Sequence, residues 1–243
     1  MNAEHARPMG RLVEGPPRIS LDQALRYHGP IEFLTKRRVA EVLEVGSGSS
    51  GLAAFWPGPV TGLDLRFDGT PLPNLSVVEG SVLELPFEDR SFEAVVCVDV
   101  FEHLPKAARP RAFSELQRVA RRVVWLAFPA GEAALHTDRA IARLGRMVGR
   151  PTPGWLIEHL EGGFPESRET LDWPSSGFRR GWRYSLSCAT HAAVITAEHA
   201  PGGALVDRLG DKKSARAMLL RVPGPPYRLE QWFERHDENG AAS

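Results

Sequence analysis

The sequence predicts an α/β protein built on an open sheet, and three observations carry that expectation. Residues 42–64 read as strand, glycine turn, helix, strand and terminal acid. Further short apolar runs alternate with segments of helical spacing. The length of 243 residues and a composition of 42% hydrophobic and 25% charged residues suit one globular α/β domain with insertions.

The first strand is the apolar run Val42, Leu43, Val45, interrupted by Glu44. It leads into Gly46-Ser47-Gly48-Ser49-Ser50-Gly51, where glycines permit a tight turn and close backbone approach to a ligand. A helix should follow, offering free N–H groups, and Pro57 should end it about two turns after Gly51. The second strand, Val60–Leu63, ends in Asp64, whose carboxylate is placed to accept both hydroxyls of a ribose. Gly46, Gly48 and Gly51 also spell G-x-G-x-x-G, a weak pointer to a dinucleotide. Glu44 sits where a dinucleotide-binding strand usually carries an apolar residue.

The stretch Glu44-Val45-Gly46-Ser47-Gly48 resembles the first motif, E/D-x-G-x-G, of class I S-adenosylmethionine (SAM) methyltransferases. A second stretch, Gly80 to Val98, resembles the same family's G-D-A-x-x-L-P-F-x-D-x-S-F-D-x-V run, through Leu85-Pro86-Phe87, Asp89, Ser91-Phe92 and Val95. Asp99 to Leu104 resembles its fourth motif, which often ends in E-H-L, here Glu102-His103-Leu104. The chain is thereby similar to the methyltransferase type 11 domains. The resemblance implies a Rossmann-like, seven-stranded mixed sheet of order 3-2-1-4-5-7-6, with strand 7 antiparallel and helices on both faces. It implies SAM as cofactor, with Glu44 orienting the methionine amine directly or through the glycine loop. Gly46, Ser47 and Gly48 would give close backbone approach, Asp64 with Leu65 would meet the ribose, Ser81 and Val82 the adenine, and Asp99 and Val100 the methionine end. Two positions depart from the pattern. Ser81 stands where the family usually has Asp, so its bond to adenine lacks charge assistance, and Ser50 stands where it usually has a third glycine.

Taken in order, residues 1–19 read as a flexible arm with no apolar core of signal-peptide length. Ser20 is an N-cap for a helix through Leu25, interrupted at Gly29-Pro30 and resuming from Ile31 to Arg38. This element brings Tyr27 near the site as a candidate substrate contact, or serves as a plain cap. Ser76–Glu79 is the third strand, Phe92–Val98 the fourth and Arg121–Phe128 the fifth, with an amphipathic helix over Lys106–Ala120. His103 is either a general base, assisted by Glu102, or a loop-ordering residue with no chemistry. Residues 130–177 exceed the minimal fold and read as a lid or acceptor-recognition insertion. Within it, Trp155 is expected to line an apolar pocket. Glu158-His159 is either a second acid–base pair or a solvated stretch of surface helix. A helix should precede the sixth strand over Ser167–Trp173. The sixth strand is Phe178–Ser187. Thr190–Leu209 reads as a helix broken at Pro201, on which His191 and His199 are bland polar-face residues. Ala215–Val222 is expected to be the seventh strand. One domain is thus expected over 20–222, with a C-terminal tail over 223–243.

Formal net charge is zero, which argues against sequence-independent nucleic-acid binding. No apolar run reaches membrane-spanning length. Cys97 and Cys188 lie far apart in apolar context, as expected of thiols in a reducing cytoplasm. No metal-ligand spacing stands out. The expected activity is methyl transfer from SAM to O, N or C of a small molecule or biosynthetic intermediate. Two alternatives stay open: an NAD(P)-dependent oxidoreductase on the same half-site, and a non-catalytic SAM-binding relative acting through a partner.

Overall fold

A computed structural model of the chain describes residues 19–200, 204–210 and 212–236. Residues 1–18 of the arm expected over 1–19, and the last residues, 237–243, lie outside the described residues. Seven strands form one sheet: β1 (Val42–Val45), β2 (Val60–Asp64), β3 (Leu75–Glu79), β4 (Phe92–Val98), β5 (Ala120–Pro129), β6 (Phe178–Ser187) and β7 (Pro226–Arg235). Their order is β3-β2-β1-β4-β5-β7-β6. Strands β1 to β5 are mutually parallel, and β7 lies antiparallel to both β5 and β6. The expected architecture holds, including the antiparallel seventh strand.

The central strands are apolar because both faces are covered. Every residue of β1 is buried, Glu44 included. On one face Leu43, Val95, Val124 and Leu126 pack with Leu116 and Phe113 of α2 (Arg109–Val119). On the other, Val42, Val96 and Trp125 pack with Tyr27, Phe33 and Leu34 of α1 (Leu21–Lys36). A third cluster joins Leu21 and Leu25 to Ala134 of α3 (Gly131–Met147), Val194 of α5 (Cys188–Glu198) and Tyr227 of β7. Between α3 and β6 the chain also forms α4 (Gly154–Gly162) and a 3-10 turn at Glu169–Asp172, where a longer helix was expected over 167–173. After α5 come α6 (Ala204–Gly210) and α7 (Lys213–Leu219).

Three local expectations are corrected. The first helix does not pause at Gly29-Pro30 but runs unbroken through Lys36. Ser20 closes a capping box with Gln23, and Leu21, Leu25, Tyr27, Gly29, Pro30, Phe33 and Leu34 all bury, so packing outweighs the one hydrogen bond Pro30 removes. The helix after the glycine loop is only a single 3-10 turn, Gly51–Ala54. Beyond it the carbonyls of Ala53, Trp56 and Gly58 accept hydrogen bonds from the Asn74 side-chain amide, which holds the chain as a loop.

The largest correction concerns the seventh strand. Ala215–Val222 is not a strand: α7 occupies Lys213–Leu219, rich in Ala, Arg, Met and Leu and free of β-branched residues. The strand is Pro226–Arg235, so residues 226–235 are not a tail but an internal member of the sheet. Its polar residues resembled surface because their partners lie far off in sequence. Arg228 pairs with Asp99, Glu230 receives hydrogen bonds from Arg183 and Ser185, and Gln231 donates to Thr170.

Candidate active site

The carboxyl ends of β1, β2 and β4 open into a cleft of about 930 Å³, lined by Val45, Gly46, Asp64, Leu65, Ser81, Val82, Asp99, Val100 and His103, among others. A second cavity of about 600 Å³ is lined by Asp22, Arg26, Asp99, His103, Trp155, His159, His191, Tyr227 and Arg228, among others. The two meet at Asp99 and His103, the end of β4 and the turn that follows it.

The first cleft is built by the glycine loop. Gly46, Gly48 and Gly51 all have positive φ, at 80°, 52° and 39°. A Cβ on Gly46 would lie 2.2 Å from Val100 Cγ2, and one on Gly51 would lie 2.2 Å from Glu44 Oε2. Only glycine fits either place. Glu44 is fully buried beneath the loop, and its Oε2 accepts the Leu52 N–H at 2.7 Å. Burial lifts its carboxyl to about 7, although the Tyr27 hydroxyl and the Leu52 amide hold it down. Glu44 therefore acts on the loop's geometry from below and does not line the cleft. Ser47 is buried and Gly48 offers its N–H to Asp64 Oδ2 at 2.9 Å. Asp64 Oδ1 accepts the Leu65 N–H at 2.8 Å. The carboxylate is thus fixed at the strand end with acceptor capacity left on both oxygens. Ser81 Oγ accepts the Leu83 N–H at 3.2 Å, so its departure from Asp leaves a hydroxyl already engaged by its own turn.

Asp99 has φ 56° and its carboxylate is held by two guanidiniums: Arg228 binds both oxygens, and Arg26 Nη1 lies 2.9 Å from Oδ2. Burial pushes this carboxyl up, but Arg228 and Arg26 outweigh it and bring it to about 2. Asp22 in turn binds Arg26 and is held below the ordinary range despite its burial.

Glu102 and His103 lie on a 3-10 turn, Phe101–His103, directly after Asp99. Glu102 is 2% exposed, and burial together with nearby Asp99 raises its carboxyl well above the ordinary value. His103 is held below its ordinary value by burial and by His159, against the pull of Glu158, whose Oε2 meets His103 Nδ1 at 2.9 Å. His159 comes from α4 and is buried, not solvated: its Nδ1 lies 2.7 Å from Asp138 Oδ2, and its Nε2 lies 3.9 Å from Glu102 Oε1. The Asp138 carboxylate also accepts from the Tyr227 hydroxyl at 3.0 Å.

Of the residues singled out in the sequence, Trp155, His159, His103 and Asp99 meet at the second cavity. Tyr27 does not: it is buried against Phe55 and lines neither cavity. Asp138, His191, Tyr227, Arg228 and Arg26 escaped sequence reasoning. His191 is not a polar-face residue, since it is buried and stacks on Tyr227 with ring centroids 3.6 Å apart. Tyr227 and Arg228 were obscured by the misplaced seventh strand.

A family model described as a methyltransferase domain matches residues 43–128. The phthiotriol/phenolphthiotriol dimycocerosates methyltransferase 1 of Mycobacterium ulcerans is 31% identical over 189 residues, covering 70% of this chain and 68% of that protein. The phthiotriol/phenolphthiotriol dimycocerosates methyltransferase of Mycobacterium leprae is 28% identical over 148 residues, 54% of each chain. The chain spans about half to two thirds of the length of such relatives. Among solved structures, magnesium protoporphyrin IX methyltransferase from Synechocystis PCC 6803 with bound S-adenosylhomocysteine superposes with a TM-score of 0.50 at 13% identity, covering 91% of this chain and 90% of that one. The chain belongs to the class I SAM-dependent methyltransferases, whose cofactor is SAM, and the oxidoreductase alternative falls. The left-handed glycine loop, the fixed Asp64 and the exposed Leu65 beside it suit a nucleoside in the first cleft.

Proposed function

We propose that this protein transfers a methyl group from SAM to a small acceptor that carries a long apolar portion. The observation that carries the acceptor class is a third hollow, a groove of about 910 Å³ lined by Ile141, Leu144, Met147, Val148 and Leu156. It shares Trp155 and Ile195 with the second cavity, so an apolar chain lying in it has its polar end beside His103 and Arg228. Met147 and Val148 are 77% and 69% exposed along this groove, an apolar surface that is costly in water unless something covers it. The mycobacterial relatives, named for phthiotriol and phenolphthiotriol dimycocerosates, support a lipid-like acceptor.

SAM supplies a methyl on a sulfonium, already electrophilic. The chain's work is then alignment and exclusion of water. Asp64 fixes the ribose, the glycine loop over Glu44 holds the methionine end, and Ser81 with Val82 faces the adenine. In this reading residues 130–177, which supply α3 and α4, form the acceptor side. His103, kept neutral by its surroundings, is positioned to take a proton from an acceptor hydroxyl where the two cavities meet. The protein acts on its own acceptor, without nucleic acid and in the cytoplasm; among the described residues no helix is long and apolar enough to cross a membrane.

Two measurements test this. Titration with SAM and with NAD(P)H, read by melting temperature, should show a rise with SAM alone. Labelled methyl from SAM should then enter the lipid fraction of an extract. Label confined to the water-soluble fraction would overturn the acceptor class, and binding of SAM without any transfer would favour a non-catalytic role.

A further inference from the structure

Beside His103 and His159, which line the second cavity, lies a buried group that the binding and positioning roles above leave unexplained. Glu102 is almost wholly buried, and neither of its carboxylate oxygens has a hydrogen-bond partner. A buried carboxyl without partners is costly. What faces it is a nitrogen: His159 Nε2 lies 3.9 Å from Oε1. His159 and His103 are each anchored at Nδ1 by a carboxylate, Asp138 at 2.7 Å and Glu158 at 2.9 Å. The two rings lie 5.3 Å apart, and one donor atom from each of Glu102, His103 and His159 falls within 4.8 Å of the others.

We infer that Glu102, His103 and His159 form a binding site for a divalent transition-metal cation at the junction of the two cavities. Three features support the assignment. Two imidazoles and one carboxylate make a mixed N/O set that suits Zn²⁺, Mn²⁺ or Co²⁺ better than Mg²⁺ or Ca²⁺. Carboxylates that orient imidazoles through their second nitrogen are the usual outer support of metal-binding histidines, and Asp138 is itself fixed by Tyr227. Donor atoms around such an ion stand about 3.4 Å apart, so the cluster needs to close by up to about 1.4 Å. Neighbouring Arg26 and Arg228 do not take this place, because Asp99 and Asp22 hold them.

Three protein ligands leave positions open toward the acceptor. With the ion bound, His103 would serve as a ligand and not as the base, and an acceptor hydroxyl bound there would lose its proton to solvent through the second cavity. Its oxygen would form the new bond to the methyl carbon while the carbon–sulfur bond breaks, leaving the electron pair on sulfur. The role in transfer rests on the methyltransferase reading; the binding of the ion does not.

The test uses the full chain, stripped with a chelator and free of SAM and acceptor. Calorimetry with Mn²⁺ and the visible absorption of added Co²⁺ should report one ion per chain. Glu102→Gln should abolish binding, and Asp138→Asn should weaken it about 10- to 100-fold. His136→Ala, on the exposed face of α3, should leave it unchanged. Circular dichroism melts of each variant show that it is folded. Absence of binding by the native protein, or binding that survives Glu102→Gln in a folded variant, would overturn the site. SAM affinity measured on the same stripped protein keeps this result separate: SAM bound without metal sinks only the metal site.

Discussion

Glu44 is a carboxyl that water does not reach, and its charge state depends on one amide, one phenol and the loop above it. The folded protein holds its proton up to about pH 7, whereas the unfolded chain releases it near the ordinary 4.5. The folded state therefore binds more protons across that window, and stability falls as pH rises from about 4.5 to about 7. The full effect is on the order of 3 kcal/mol. Glu44→Gln keeps the shape and removes the titration, so urea midpoints at pH 5 and pH 7.5 should differ less in the variant than in the native protein. A slope unchanged by the substitution would show that Glu44 does not titrate there. Asp64 makes a different prediction. Its carboxylate is prepositioned by Gly48 and Leu65, and a charge-assisted hydrogen bond is worth about 1.5–3 kcal/mol. Asp64→Ala should weaken SAM binding about 10- to 150-fold by calorimetry, with little change in melting temperature without SAM.

Among the elements, the β6–β7 pair leaves no room for a side chain at Gly181. A Cβ on Gly181 would lie 2.2 Å from the Trp232 ring, across from it on β7. Trp232 stacks on Trp125 and also packs on Phe33. Gly181→Val should cost about 1–3 kcal/mol or more from overpacking. Gly145 in α3 is the contrast, with nothing near the place of an added Cβ, so Gly145→Ala should stabilise by about 0.5–1 kcal/mol through helix propensity. Denaturation midpoints of the pair should move in opposite directions. These elements also show where sequence reading works. Strands β1 to β5 were legible because their apolar runs are local signals, β6 followed from the element order that the family resemblance implies, and the residues gathered at the first cleft were legible because they sit at strand ends. Strand β7 was not, since Arg228, Glu230 and Gln231 look like surface until Asp99, Arg183 and Thr170 are brought across the sheet. His191 was misread for the same reason: its partner Tyr227 lies 36 residues away. A buried polar network leaves no periodicity in the chain that builds it.

For the whole molecule, the position of β7 has a consequence for the order in which the protein is made. Synthesis delivers β5 more than ninety residues before its neighbour β7. During that interval the far edge of β5, buried along Val123–Pro129 in the finished fold, has bare amides and carbonyls and apolar flanks. A nascent chain in this state is an adhesive template for any passing strand. The final ten-residue strand is thus the closing stitch, and it also carries Tyr227 and Arg228 into the second cavity. A chain stopped after residue 222 should associate into large particles by light scattering, and adding a peptide of residues 223–236 in trans should reduce that association.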